Sequence, residues 1–162
     1  MSKKNPVAQL VNQLSKRRLT VCTAESCTGG LIAKQLTDIA GSSSWFECAF
    51  ITYSNDAKHS MLSIDENLIE SSGAVSQPVV NAMAEGALSK STAKIAISTS
   101  GIAGPDGGTS EKPVGMVWIA WAATNYETES QCFYFKGNRE SIRNQAAEAA
   151  ITGCVKFIVK NA

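Results

Sequence analysis

The chain has 162 residues, 44% of them hydrophobic and 18% charged, with a formal net charge of +1. That length fits one domain, residues 1–162, with a substantial core. The near-neutral charge argues against a general electrostatic grip on nucleic acid, and no apolar run is long enough to span a bilayer. Met1-Ser2-Lys3-Lys4 leads into a polar, periodic segment rather than a signal-peptide core, so a cytoplasmic protein is expected. The five cysteines, Cys22, Cys27, Cys48, Cys132 and Cys154, form no C-x-x-C pair, and the chain has one His. A zinc site of ordinary spacing is therefore not expected, and reduced thiols are the better reading.

Asn5-Pro6 opens the first helix, with Asn5 as cap and Pro6 at its first position. Val7, Leu10, Val11 and Leu14 form one apolar face. A strand over Leu19 to Val21 then runs into Thr23-Ala24-Glu25-Ser26-Cys27-Thr28-Gly29-Gly30, ahead of an amphipathic helix from Leu31 to Ile39. This is a strand, a tight polar turn and a helix, the arrangement that presents a hydroxyl to a ligand. Ser26 is the candidate nucleophile, although Ser26 or Thr28 could equally cap the helix. Cys27 is a rival nucleophile, because a helix N-terminus can lower a thiol pKa.

A second strand spans Trp45 to Tyr53, and Ser54 to His59 opens a short helix. Ser63-Ile64-Asp65-Glu66 has capping-box spacing for another. Ser76 can cap a longer helix that carries Pro78 in its first turn. Ala93 to Thr99 is the third strand, ending in the glycine-rich Ser100–Gly108 loop. Val114 to Ala123 is apolar throughout, and Thr128 to Phe135 returns as its hairpin partner. Asn138 caps the last helix, whose buried face is expected to hold Ile142, Ala146, Ala149, Gly153 and Phe157. The order predicts a three-layer α/β/α domain with a mixed, mainly parallel sheet of about five strands, one of them antiparallel in the C-terminal hairpin. Three loops that follow strand ends should then meet in one crevice.

A serine nucleophile needs a base. Lys58, kept neutral by burial, is the best candidate, against the plain reading of a solvated lysine. Tyr53 reads either as packing or as a proton relay. Arg139 opens a helix, where a cation is disfavoured by the dipole, and so hints at an anionic ligand.

Five motifs now stand in order: Ala24-Glu25-Ser26-Cys27-Thr28-Gly29-Gly30, Gly41-Ser42-Ser43-Ser44-Trp45-Phe46, Thr52-Tyr53-Ser54-Asn55-Asp56-Ala57-Lys58, the Ser100–Gly108 loop, and Lys112-Pro113-Val114-Gly115. The chain thereby resembles the CinA C-terminal-domain family, the nicotinamide-nucleotide amidases, in their stand-alone form. The resemblance implies hydrolysis of nicotinamide mononucleotide to nicotinate mononucleotide and ammonia, in pyridine nucleotide salvage. It places the nucleophile on Ser26, the lysine on Lys58, the tyrosine on Tyr53 and the arginine of a G-x-R motif on Arg139. Substrate is then expected against Cys27, Thr28, Gly29, Gly30, Gly41, Ser42, Thr99, Ser100, Gly101 and Arg139. Backbone N–H groups from Cys27 to Gly30 would hold the oxyanion. No metal or cofactor is required, and a small-molecule nucleotide is the expected partner, with a homodimer the expected assembly. The alternatives are a catalytically inactive nucleotide-binding paralogue and an interaction protein of competence or DNA-damage responses.

Overall fold

A computed structural model describes residues 5–162; the Met1–Lys4 start, read above as lacking a signal-peptide core, lies outside them. The elements are α1 (Pro6–Arg17), β1 (Val21–Glu25), α2 (Leu31–Thr37), a 3-10 turn at Ser42–Ser44, β2 (Phe46–Ile51), α3 (Asn55–Leu62), α4 (Glu66–Ser72), α5 (Gln77–Ser89), β3 (Ile95–Gly101), β4 (Met116–Ala123), β5 (Glu129–Tyr134) and α6 (Arg139–Asn161). No helix among them is long and apolar enough to cross a membrane.

The sheet order is β2-β1-β3-β4-β5. β1 pairs in parallel with β2 and with β3, while β4 is antiparallel to both its neighbours. Four strands therefore point one way and β4 alone runs against them. One face of the sheet packs Val21, Ile97, Ile119 and Trp121 against α1, α2 and α6. The other presents small residues, Cys22, Ala24, Ala96, Ala120 and Ala122, to α5. On the α6 side the bulk of Trp121 is accommodated by Gly153, where a Cβ would stand 2.0 Å from the indole Cζ2. The indole N–H donates to the Ala150 carbonyl at 2.8 Å.

Several boundaries differ from expectation. β1 starts at Val21 rather than ending there, because Cys22 to Glu25 are paired on both sides and wholly buried. The Ser63–Glu66 box does not form. Ser63 closes α3 with φ 57, and Asp65 caps α4 by accepting the Asn67 N–H at 2.9 Å. Ser76 gives α5 no side-chain cap; its hydroxyl donates to the Gly73 carbonyl at 2.7 Å. β4 starts at Met116, after Gly115 takes φ +95. Asn5 and Asn138 do cap α1 and α6. The buried face of α6 turns slightly from the expected one, with Ala147, Ala150 and Cys154 inside and Ala149 and Gly153 at the rim.

Chain direction sets the site. The loops after β1, β2 and β3 all leave the same edge of the sheet. Between β1 and β3 the strand order reverses, the place where an open α/β sheet leaves a crevice.

Candidate active site

The crevice is a cleft of about 290 Å³. Ser26 and Cys27 line it from the first loop, Tyr53 and Lys58 from the second, and Gly101 to Gly104 from the third. A larger hollow of about 590 Å³ between β5 and α6 holds no buried charge.

Lys58 is 1% exposed, an unusual state for a lysine. Its Nζ lies 3.1 Å from Ser26 Oγ, 3.1 Å from the Thr52 carbonyl and 3.2 Å from the Tyr53 carbonyl. No carboxylate pairs with it among the described residues. Burial pushes its pKa down from the ordinary 10.5. The nearby Cys27 thiol would oppose that shift as a thiolate, but burial pushes the thiol itself up to about 12. A neutral amine has two N–H donors and one lone pair. With the two carbonyls taking those donors, a neutral Lys58 would turn its lone pair to Ser26 Oγ, whose hydroxyl also lies 3.4 Å from the Tyr53 carbonyl.

Burial runs against the expectation of a thiol activated by the helix start, since it raises the Cys27 pKa. At 6% exposure the thiol is held in its protonated, poorly nucleophilic form.

Neither Ser26 nor Thr28 caps α2. The cap position is Gly30, at φ 101, and it has no side chain to offer. Glu25 supplies the acceptors instead, from within β1 and at 0% exposure. Its carboxylate accepts the N–H groups of Gly30, Ile32 and Ala33 at 3.2, 3.0 and 3.0 Å, and the hydroxyls of Thr23 and Thr28 at 3.0 and 2.7 Å. Since Thr28 gives its one proton to Glu25, it accepts from the Thr99 hydroxyl at 2.8 Å. The anion thus fixes the turn that carries Ser26. Glu25→Ala would leave several buried donors unpaired and should cost at least about 3 kcal/mol. Chemical denaturation of Glu25→Ala and Glu25→Gln checks this: the alanine variant should unfold first, and an unchanged midpoint would release Glu25 from that role.

The cap also narrows the choice of oxyanion donors. Gly29 N–H is taken by the Ser26 carbonyl at 3.0 Å and Gly30 N–H by Glu25, so neither is free, contrary to expectation. The N–H groups of Cys27 and Thr28 meet no protein acceptor among the described residues. Their peptide planes are pinned through their carbonyls. Gly29 holds Ser26 O, and Arg143 Nε holds Cys27 O at 3.0 Å. Arg143 Nη2 also reaches Thr28 O at 3.0 Å.

Arg139 and Arg143 lie one turn apart on α6 and tie all three loops together. Arg139 donates to the Gly104 carbonyl at 2.8 Å and to the Tyr53 hydroxyl at 3.0 Å. The phenol of Tyr53 therefore meets Arg139, not Lys58; the backbone carbonyl of Tyr53 holds Lys58. Thr99 is buried and accepts the Ser26 N–H on its carbonyl at 3.1 Å. The Ser100 hydroxyl donates to the Ala74 carbonyl at 2.8 Å, and Gly101 lines the cleft where a Cβ would meet Val117.

Gly41 and Ser42 are not brought to the cleft. They precede β2, and the Trp45 carbonyl beside them accepts the N–H of Val21 at the start of β1. They lie at the opposite edge of the sheet from Ser26. Sequence reasoning missed Glu25 as the cap and Arg143 as the clamp. The spacing of Arg143 from Arg139, one helical turn, was the available signal.

A buried lysine against a serine hydroxyl, at the C-terminal edge of an α/β/α sheet, is an arrangement in which a nucleophile and a base can meet. The CinA C-terminal domain family matches residues 3–158, and the chain belongs to it. It is 53% identical over 145 residues to the nicotinamide-nucleotide amidohydrolase PncC of Escherichia coli strain K12, covering 88% of this chain and 87% of that protein. A CinA-like protein of Akkermansia muciniphila is 50% identical over 144 residues, 89% of this chain but 35% of its own length. The crystal structure of the competence/damage inducible protein CihA from Agrobacterium tumefaciens superposes with a TM-score of 0.91 at 38% identity, over 97% of this chain and 98% of that one.

Proposed function

We propose that the chain is an amidohydrolase that converts nicotinamide mononucleotide and water to nicotinate mononucleotide and ammonia through a Ser26 acyl-enzyme, within pyridine nucleotide salvage. The observation that carries the chemistry is Lys58 Nζ, buried and 3.1 Å from Ser26 Oγ, with its other neighbours both carbonyls. The PncC relatives, which share half of their residues with this chain, carry the choice of substrate.

In this reading Ser26 Oγ attacks the carboxamide carbon as its proton passes to neutral Lys58. The oxyanion is received by the N–H of Cys27, the residue after the nucleophile. Collapse of the tetrahedral species breaks the C–N bond, and the Lys58 ammonium gives its proton to the leaving nitrogen. A water molecule, deprotonated by Lys58, then attacks the ester and frees the carboxylate, and the proton returns to Ser26. Tyr53 serves through its carbonyl, which fixes the amine, rather than as a proton relay. Ammonia release is the test, measured on nicotinamide mononucleotide, nicotinamide riboside and free nicotinamide. Ammonia from the mononucleotide with nicotinate mononucleotide as co-product is expected; no release from any of the three would overturn the reading.

Arg139 would hold the phosphate. A guanidinium has five N–H donors, so its bonds to Gly104 and Tyr53 leave others for a ligand. Arg139→Ala should raise KM for the mononucleotide about ten- to a hundredfold, with a smaller change in kcat. Steady-state kinetics decide it. An unchanged KM would move the phosphate to the Ser100–Gly108 backbone.

A further inference from the structure

One charge in the cleft has no part in the mechanism above. Asp106 lines the cleft from the loop after β3, and it is the one carboxylate that does so; the basic side chains there are Lys58 and Arg139. Asp106 stands two positions beyond Gly104, whose carbonyl receives Arg139 Nη1 at 2.8 Å. Yet acid and arginine do not pair. Arg139 spends its donors on a carbonyl and a phenol, and Asp106 is left exposed without a partner among the described residues.

The loop is held, so the placement is not that of a free tip. Ile102 N–H donates to the Met116 carbonyl at 2.9 Å, and Gly115 N–H to the Ile102 carbonyl at 2.7 Å. Thr109 N–H donates to the Lys112 carbonyl at 2.9 Å. Lys112 Nζ in turn donates to the Ser72 carbonyl at 2.9 Å, which anchors the loop to the end of α4.

In the mechanism proposed for Ser26, Lys58 is neutral at rest, and the cleft then offers one positive group, Arg139, and one negative group, Asp106. The substrate proposed above is a zwitterion: a phosphate at one end, and at the other a pyridinium ring made cationic by its bond to ribose. The carboxylate repels the phosphate, which leaves that group to Arg139. It attracts the ring. Free nicotinamide has neither charge, and gains from neither residue.

We propose that Asp106 is the specificity residue for the cationic ring, its carboxylate stabilising the N-ribosyl pyridinium of the bound nucleotide. The inference rests on the amidase reading, and it adds the reason for which a neutral ring is passed over. An unpaired carboxylate facing a ring cation should favour the charged ring by about tenfold.

The test is binding without turnover, by calorimetry on Ser26→Ala protein. The ligands are nicotinamide mononucleotide, its reduced 1,4-dihydro form, which keeps ribose and phosphate but has a neutral ring, and ribose 5-phosphate. With Asp106 present, the oxidised nucleotide should bind about tenfold more tightly than the reduced one. In Ser26→Ala/Asp106→Asn that preference should vanish. The oxidised form should weaken, the reduced form should be unchanged, and ribose 5-phosphate should bind equally or more tightly. Asp106→Glu should restore part of the preference. Equal weakening of oxidised and reduced forms would make Asp106 a ribose or loop contact, and no weakening of either would give it no role; each overturns the proposal and leaves the amidase reading standing. Failure of the mononucleotide to bind Ser26→Ala protein at all would overturn both.

Discussion

Ser26→Ala should lose turnover by about three to six orders of magnitude, while Cys27→Ala keeps most of it. The two side chains are neighbours in sequence but chemically far apart. Ser26 Oγ stands 3.1 Å from the buried Lys58 amine, whose pKa burial lowers. The Cys27 thiol is 6% exposed, and burial pushes its pKa up to about 12, so little thiolate exists at neutral pH. Rapid acid quench followed by peptide mass spectrometry should find a nicotinoyl ester on Ser26. An adduct on Cys27, or undiminished activity in Ser26→Ala, would overturn the assignment. The residual rate of Ser26→Ala is informative too, since it reports what the Cys27 N–H and substrate positioning contribute without a nucleophile.

Much of the fold was legible because local signals agree with the global arrangement. Asn5-Pro6 and the apolar face of α1 mark a helix in the chain alone, and the apolar run from Val114 to Ala123 marks a strand covered on both sides, formed from Met116 on. Convergence of three loops followed from strand direction. The same rule could have placed Gly41 and Ser42 correctly. Residues just before a parallel strand lie at the edge opposite to residues just after one, and a motif match carries no such geometry.

The losses at the site have a different origin. A sequence names residues, not the atoms that make contact. Tyr53 stands beside Lys58 as expected, but its carbonyl makes that contact and its phenol turns to Arg139. Glu25 reads in the sequence as part of a polar turn. It is fully buried because α2 begins at two glycines, which leaves its first N–H groups without a side-chain acceptor of their own. That deficit was visible in Gly29-Gly30; which distant or neighbouring group would fill it was not. Lys58 is the same case in reverse. It shares the buried face of α3 with Leu62, one turn on, but a lysine at that position carries no apolar signal that would mark it as buried.

Lys58→Met should retain the fold and lower kcat by about two to four orders of magnitude, the range that a general base contributes. Lys58→Arg should not rescue it, because a guanidinium cannot give up its proton to become a base. The pH dependence gives a sharper sign. Burial lowers the Lys58 pKa below 10.5, and the base works only when deprotonated. In the wild type, kcat/KM should therefore rise as pH increases through that lowered value and then level off. In Lys58→Met this limb should be absent. Stability carries the matching signature. Between the lowered pKa and 10.5 the unfolded chain binds a proton that the folded one has released, so wild-type stability should increase with pH across that window. Replacing Lys58 by Met removes that slope. Thermal unfolding followed from neutral to alkaline pH reads it directly, alongside the rate profile. A variant with near-wild-type turnover and an intact limb would remove Lys58 from the mechanism. A variant that loses the rate but keeps the limb would assign the titration to another group.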